Sequence, residues 1–167
     1  MVEISYVSDL PALYLYPLNG SFAPKCISLA DRVHIVIGRH TNIKTVPTRE
    51  NGRFSSKVLS RMHAEVWAEG GKIFARDTQS SNGTYLNGTR LSPEGKASPH
   101  AELHTGDEVV LGIDVFGRDN VTICHHKVAA RVVCAFTEQD AHAAELPPSV
   151  RNGLLGDIDG AGLRAAL

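Results

Sequence analysis

Apolar positions in this chain come in short runs: Leu13 to Leu18, Cys26 to Leu29, Val33 to Ile37, His63 to Ala68, Lys72 to Arg76, Thr84 to Leu86, Glu108 to Leu111, Val121 to His125 and Val128 to Phe136. Several of them alternate apolar with polar residues, the period of two that places one face of a strand on a core and the other in water. Gly, Asn, Asp and Pro punctuate the runs, and no long amphipathic helix competes with them. The pattern predicts an all-β sandwich. Asn82-Gly83 and Asn87-Gly88 flank the run Thr84-Tyr85-Leu86. Such pairs accept the positive φ of tight turns, so the chain is expected to reverse twice in quick succession there.

Two polar segments interrupt the strands. From Gly38 to Arg61 the chain holds Arg39, Lys44, Arg49, Arg53, Lys57 and Arg61 against Glu50 alone, which predicts a positive loop surface. Ser92 to His100, with Pro93, Gly95 and Pro99, reads as a surface connection between strands. After Asp140 the chain is rich in Ala, Gly and Leu and contains Pro147-Pro148. Residues 10–138 are therefore expected to form one domain, and residues 139–167 a flexible tail or linker, with a short helix over Gly153 to Leu167 as the alternative. Trp67 is expected as a core or half-buried sheet residue.

Composition narrows the function classes. With 167 residues, 43% of them hydrophobic, the chain is long enough to bury one core and too short for two full domains. Its 17 basic and 18 acidic residues nearly cancel, which removes the field expected of a general nucleic-acid or membrane-surface binder, so any anion site has to be local. Cys26, Cys124 and Cys134 are odd in number and lack CxxC spacing; they read as reduced core thiols, without a disulfide framework or zinc site. The histidines, including His125-His126, alternate on strands or sit in loops, and neither metal nor cofactor is expected. No basic leader precedes an apolar stretch at the N-terminus, and no window reaches the roughly 20 apolar residues of a bilayer span. A cytosol-facing protein is expected, in which Asn82-Gly83-Thr84, Asn87-Gly88-Thr89 and Asn120-Val121-Thr122 serve as turns rather than glycan acceptors.

Three short motifs then occur in order: Gly38-Arg39, Ser60-Arg61-Met62-His63, and Ser80-Ser81-Asn82-Gly83-Thr84-Tyr85-Leu86-Asn87. A guanidinium, a hydroxyl and an amide on three separate loops of a sandwich suit one ligand well. A phosphothreonine carries about −1.5 to −2 charges and several acceptor oxygens, and a reader needs a fixed guanidinium with neutral donors around one point. The ordered set resembles the signature of the forkhead-associated (FHA) family. The resemblance implies an FHA-type β-sandwich of two antiparallel sheets with about eleven strands, which binds phosphothreonine and is not an enzyme. It further implies that Arg39 and Ser60 contact the phosphate, that Arg61 adds a second cation with Lys57 as helper, and that Asn82 holds the partner's backbone. Asn87 would contact or brace the peptide-binding loop, while Gly38, His63 and Gly83 support the site. The segment Thr41 to Lys57 would read residues after the phosphothreonine, offering Ile43, Val46 and Phe54 as apolar contacts.

Further stretches, among them Lys57-Val58-Leu59-Ser60-Arg61, Asp77-Thr78-Gln79-Ser80 and Glu102-Leu103-His104-Thr105-Gly106-Asp107, resemble the sarcolemma-associated and fungal Far-complex subfamily over roughly residues 10 to 137. Members of that subfamily are adaptors of the striatin-interacting phosphatase and kinase (STRIPAK) complex, with coiled coil and a membrane-anchoring tail after the domain. The resemblance thus implies an N-terminal piece of a longer tail-anchored protein whose partners are threonine-phosphorylated proteins, including sterile-twenty type kinases, and STRIPAK components. No nucleic-acid partner and no direct membrane contact of this piece are expected. Two other readings stand beside it: a sandwich used for phosphate-independent assembly, and a hydrolase built on Ser60, His63 and Asp77, which lacks the Gly-x-Ser-x-Gly elbow.

Overall fold

A computed structural model describes residues 9–146, and in it the alternation along the chain becomes the inner and outer faces of two stacked sheets. In chain order the strands are β1 (Ala12–Pro17), β2 (Lys25–Ser28), β3 (Ile35–Arg39), β4 (Arg53–Phe54), β5 (Ala64–Glu69), β6 (Lys72–Asp77), β7 (Thr84–Leu86), β8 (Thr89–Arg90), β9 (Ala101–Leu103), β10 (Glu108–Leu111), β11 (Val115–Phe116), β12 (Ile123–His125) and β13 (Val128–Ala135), followed by helix α1 (Glu138–Ala144). One sheet has the order β2-β1-β13-β10-β7-β8 and the other β4-β3-β5-β6-β9, while β11 and β12 form a separate ribbon. The two main sheets hold the sandwich expected from the sequence; β3 and β4 pair in parallel, and the other neighbours are antiparallel.

Inner-face residues from both sheets meet in one core: Leu13 and Leu15 of β1 and Val128, Ala130 and Val132 of β13 face Ile37 of β3, Val66 of β5 and Ile73 of β6. Strand β1 is buried on its other face as well, because α1 lays Ala141 and Ala144 over Ala12, Tyr14, Val133 and Ala135. The helix starts at a capping box, in which the Thr137 side chain accepts from the Asp140 N–H and Asp140 reaches back to the Thr137 N–H. Tyr16 donates its hydroxyl to the Ala144 carbonyl, and Arg49 pairs with Glu145. The packed unit therefore runs past the boundary expected after residue 138, since a small-residue face on one short helix was enough to cover the outside of β1. Pro147-Pro148 and the alternative helix over Gly153 to Leu167 lie outside the described residues.

Strands β4, β8, β9 and β11, of two or three residues each, were not among the predicted runs. Segments so short carry no period; pairing with a neighbour makes them strands. The connection from Ser92 to His100 is mostly exposed but pinned at two points, with Ser92 and Ser98 buried and the Ser98 hydroxyl accepting from the Asp77 N–H at 2.9 Å. Cys134 is a buried thiol and Cys26 a half-buried one, whereas Cys124 is exposed on the ribbon, against the expectation of a core position. Trp67 is buried on the outer face of its sheet, stacked on His34 with ring centroids 4.7 Å apart. The Asn-Gly turns and Asn120 take positive φ, as turns require.

Phe54 also departs from its expected role. Only 1% of it is exposed, and it packs edge-on against Phe22 with centroids 5.1 Å apart while the Lys25 ammonium lies 4.8 Å above its ring. Pairing of β4 with β3 turns Phe54 inward, so it is core rather than a peptide contact; Ile43, 88% exposed, stays at the surface. Phe54→Ala should cost about 3–5 kcal/mol in a denaturant titration, and Ile43→Ala should stay within about 0.5 kcal/mol of wild type.

Candidate functional site

Register gathers the three motifs. Ile37 of β3 lies opposite Ala64 of β5, and Ala64 lies opposite Asp77 of β6, so the end of β3, the start of β5 and the end of β6 share one edge of the sheet. At that edge lie Arg39, the last residue of β3, the segment before Ala64, and the segment after Asp77. Together Arg39, Lys57, Val58, Leu59, Ser60, Arg61, Ser81 and Asn82 line a depression of about 340 Å³. Five of the six expected binding residues are thus brought to one place. Asn87 is not; it follows the opposite end of β7, where its side chain donates to Asp107 at 3.0 Å and accepts from the Glu108 N–H at 2.8 Å.

His63 holds the depression together from beneath. Fully buried, it accepts the Ser60 N–H at Nδ1 over 3.1 Å, which leaves the ring proton on Nε2 to donate to the Gly83 carbonyl at 2.8 Å. One neutral imidazole therefore joins the Ser60 loop to the Asn82 loop. Burial pushes its pKa below the usual histidine range, outweighing the Gly83 bond and the charge of Asp77, which act the other way. Next to it, the buried Asp77 carboxylate accepts the N–H and hydroxyl of Ser80 and, at 2.7 Å, the hydroxyl of Thr84. The Ser80 hydroxyl in turn accepts the Gly83 N–H at 3.1 Å, fixing the turn that presents Asn82.

Two glycines mark where backbone has to come close. A Cβ on Gly38 would lie 1.9 Å from the Arg61 carbonyl oxygen, so only glycine lets β3 pass under the Ser60–Arg61 backbone, where the Arg39 N–H donates to the Ser60 carbonyl at 3.0 Å. Gly83 has φ +92° and turns the chain from Asn82 into β7.

What remains open to a ligand is cation and hydroxyl donor, with one amide oxygen as acceptor. The Ser60 hydroxyl accepts the Ser81 N–H at 3.2 Å, and its own proton has no acceptor among the described residues. Asn82 donates to the Val58 carbonyl at 2.9 Å, leaving its amide oxygen without a donor there. The side chains of Arg39, Lys57 and Arg61 have no ion-pair partner among the described residues, and no carboxylate lines the depression. Three uncompensated cations around a hydroxyl and an amide make a site for a small, multiply charged anion. A hydrolase reading loses its base, because both His63 nitrogens are already bonded to backbone and Asp77 is bonded to Ser80 and Thr84.

Sequence reasoning missed three supports. Ser81, inside a quoted motif, meets Ser60 through its backbone N–H. Arg90 donates to the Ser92 carbonyl at 2.8 Å and to the Ser81 carbonyl at 3.4 Å. Nothing in the sequence signals the second, since its bond to Ser81 is made to a carbonyl that the turn between them brings near. Arg53 likewise donates to the Arg61 carbonyl at 2.8 Å.

Residues 35–112 match the FHA domain family. An uncharacterized protein of Schizosaccharomyces pombe is 46% identical over 120 residues, covering 71% of this chain and 39% of that protein. The sarcolemmal membrane-associated protein of Oryctolagus cuniculus is 45% identical over 83 residues, 48% of this chain and 11% of that one. The chain therefore spans well under half the length of these curated relatives. Among solved structures, the N-terminal FHA domain of Saccharomyces cerevisiae Rad53p in complex with a phosphothreonine peptide superposes with a TM-score of 0.52 at 16% identity, over 77% of this chain and 95% of that one. At that identity the likeness speaks for the fold.

If His63 is the neutral bridge, the folded protein should lose stability as pH falls below about 6.5, because the unfolded histidine takes up a proton that the folded one refuses. Unfolding free energies of wild type and His63→Gln at pH 7 and pH 5 check this: the wild type should show the larger drop, the other histidines being common to both.

Proposed function

From the premise that this chain carries an FHA domain, we propose that the depression around Arg39, Ser60 and Asn82 binds phosphothreonine in partner proteins, and that the domain acts as a docking module. The observation that carries this reading is the set of three unpaired cations around one free hydroxyl proton, with no carboxylate among the residues lining the depression. Arg39 and Ser60 take the phosphate oxygens, the exposed Arg61 adds a second positive charge, and the likewise exposed Lys57 assists. The free amide oxygen of Asn82 accepts a backbone N–H of the partner next to the phosphothreonine. Asn87 acts indirectly by tying the end of β7 to Asp107 and Glu108. Loops carry the contacting groups while the sandwich beneath keeps them still, which limits the entropy lost on binding.

The finer role rests on resemblance. Similarity to sarcolemmal membrane-associated protein supports a STRIPAK-type adaptor that brings threonine-phosphorylated kinases of the sterile-twenty type to a phosphatase. Among the described residues no helix is long and apolar enough to cross a membrane, so a tail anchor of the whole protein and its cytoplasmic orientation belong to this proposal as well. A preference for threonine over serine follows if the extra methyl is buried, worth about 0.8 kcal/mol or roughly fourfold.

Titration calorimetry with a phosphothreonine peptide library and its unmodified counterpart tests the reading. Binding should require the phosphate and weaken as salt rises or as pH drops below about 6, where the phosphate regains a proton. Each charge-assisted hydrogen bond contributes about 1.5–3 kcal/mol, so Arg39→Ala should lower affinity at least about tenfold and Lys57→Ala less. Equal affinity for phosphorylated and unmodified peptides would turn the domain into a phosphate-independent assembly module.

A further inference from the structure

The turn that presents Asn82 carries a chemical liability. Among the described residues, Asn is followed by Gly at Asn19, Asn51, Asn82 and Asn87. Glycine has no Cβ to shield its backbone nitrogen, so in an open chain that nitrogen reaches the side-chain carbonyl carbon of the preceding asparagine. Once it has given its proton to hydroxide, it attacks that carbon. A new C–N bond forms, the C–N bond of the side-chain amide breaks, and ammonia leaves with a proton from water. Water then opens the five-membered succinimide at either carbonyl, giving aspartate or isoaspartate.

All four asparagine side chains donate to a neighbour, so the attacking nitrogen makes the difference between the pairs. Asn19-Gly20 and Asn87-Gly88 are exposed, and the N–H groups of Gly20 and Gly88 have no acceptor among the described residues. Gly83 is buried, and its N–H donates to the Ser80 hydroxyl at 3.1 Å, which turns it away from the Asn82 side chain. Ser80, 1% exposed, donates its own proton to Asp77, and that carboxylate also accepts the Ser80 N–H and the Thr84 hydroxyl. Those three donors occupy Asp77, so the Gly83 proton has no base to go to and hydroxide is kept out. Of the four asparagines only Asn82 lines the depression. A carboxylate in its place sits among Arg39, Lys57 and Arg61 and opposes any anion they attract.

Resting on the phosphothreonine reading of the depression, we propose that Asn82 is a self-modification site held in check by Ser80. Closure of the Gly83 nitrogen on the Asn82 side chain replaces the site's one amide by a carboxylate and ends phosphate binding, and the Ser80 hydroxyl keeps that closure slow. Asn19, with an open glycine N–H beside it, converts first. Ser80 thus has a second task besides shaping the turn: it sets how long the site lasts.

Incubation at mildly alkaline pH, with peptide mapping for the mass gain of amide-to-acid conversion, reads the rate at each asparagine. Folded wild type should convert Asn82 about fivefold or more slowly than Asn19, and the denatured chain should convert the two alike. The Gly83 amide should also exchange its hydrogen more slowly than that of Gly20. Ser80→Ala should remove most of the difference at Asn82 and leave Asn19 unmoved. Capture of a phosphothreonine peptide library should fall in step with conversion at Asn82, not with conversion at Asn19. Equal rates at the two asparagines in folded wild type would overturn the proposal. So would a Ser80→Ala rate at Asn82 no higher than that of wild type, which would make Ser80 a proton relay to Asp77. Should Ser80→Ala fail to fold by circular dichroism, the wild-type rates and the Gly83 exchange decide. Binding that persists after Asn82 has converted counts against the proposal alone. The underlying reading fails separately, when fresh protein binds phosphorylated and unmodified peptides alike.

Discussion

A neutral imidazole in a dry site is the constraint on which this molecule's rim depends. His63 has to lose all its water, stay unprotonated, and satisfy one donor and one acceptor at once; the Ser60 N–H and the Gly83 carbonyl are the groups that let it do so. The same requirement fixes the separation of the two loops. With Gly38 admitting β3 beneath the Arg61 carbonyl, a third loop end is drawn to the same point. The surface groups are then free to remain unpaired, because groups below them carry the structure.

That separation of tasks runs through the whole rim. Asp77, Ser80 and Thr84 form a buried set of hydrogen bonds that shapes the turn, and none of their polar atoms is needed by a ligand. Arg53 and Arg90 spend their guanidinium donors on carbonyls of Arg61, Ser81 and Ser92. Arg49 neutralises Glu145 against α1. Of the six cations counted between Gly38 and Arg61, only Arg39, Lys57 and Arg61 line the depression, so the positive segment is less a uniform patch than a focus with structural arginines around it. An overall charge near zero fits this arrangement, since attraction is wanted at one point rather than over the surface.

The ribbon extends the same logic outward. Gly112 of its first foot donates to the Gly83 carbonyl that His63 also holds, the Ser56 hydroxyl donates to the His126 carbonyl at the second, and Asp119 holds the tip, so the ribbon is bonded to both loops of the anion site.

Sequence alone determined the sandwich, because alternation with period two is a property of each strand taken singly, and it singled out Arg39, Ser60 and Asn82 by residue type and order, which the fold brings to one depression. It also placed Gly38 and His63 as supports. Only the tertiary structure decided which residues face which way where the local pattern is too short to hold a period. Phe54 in a two-residue strand went to the core by pairing with Arg39, and Cys124 on the ribbon went to solvent. Asn87 likewise acquires partners in Asp107 and Glu108, far along the chain, that no local spacing encodes. The small helix α1 joined the packed unit because Ala12 and Tyr14 on the outside of β1 needed cover, and that need arises only once β1 and β13 are paired. Local periodicity reports the faces of an element; the identity of what covers a face depends on contacts made across the fold.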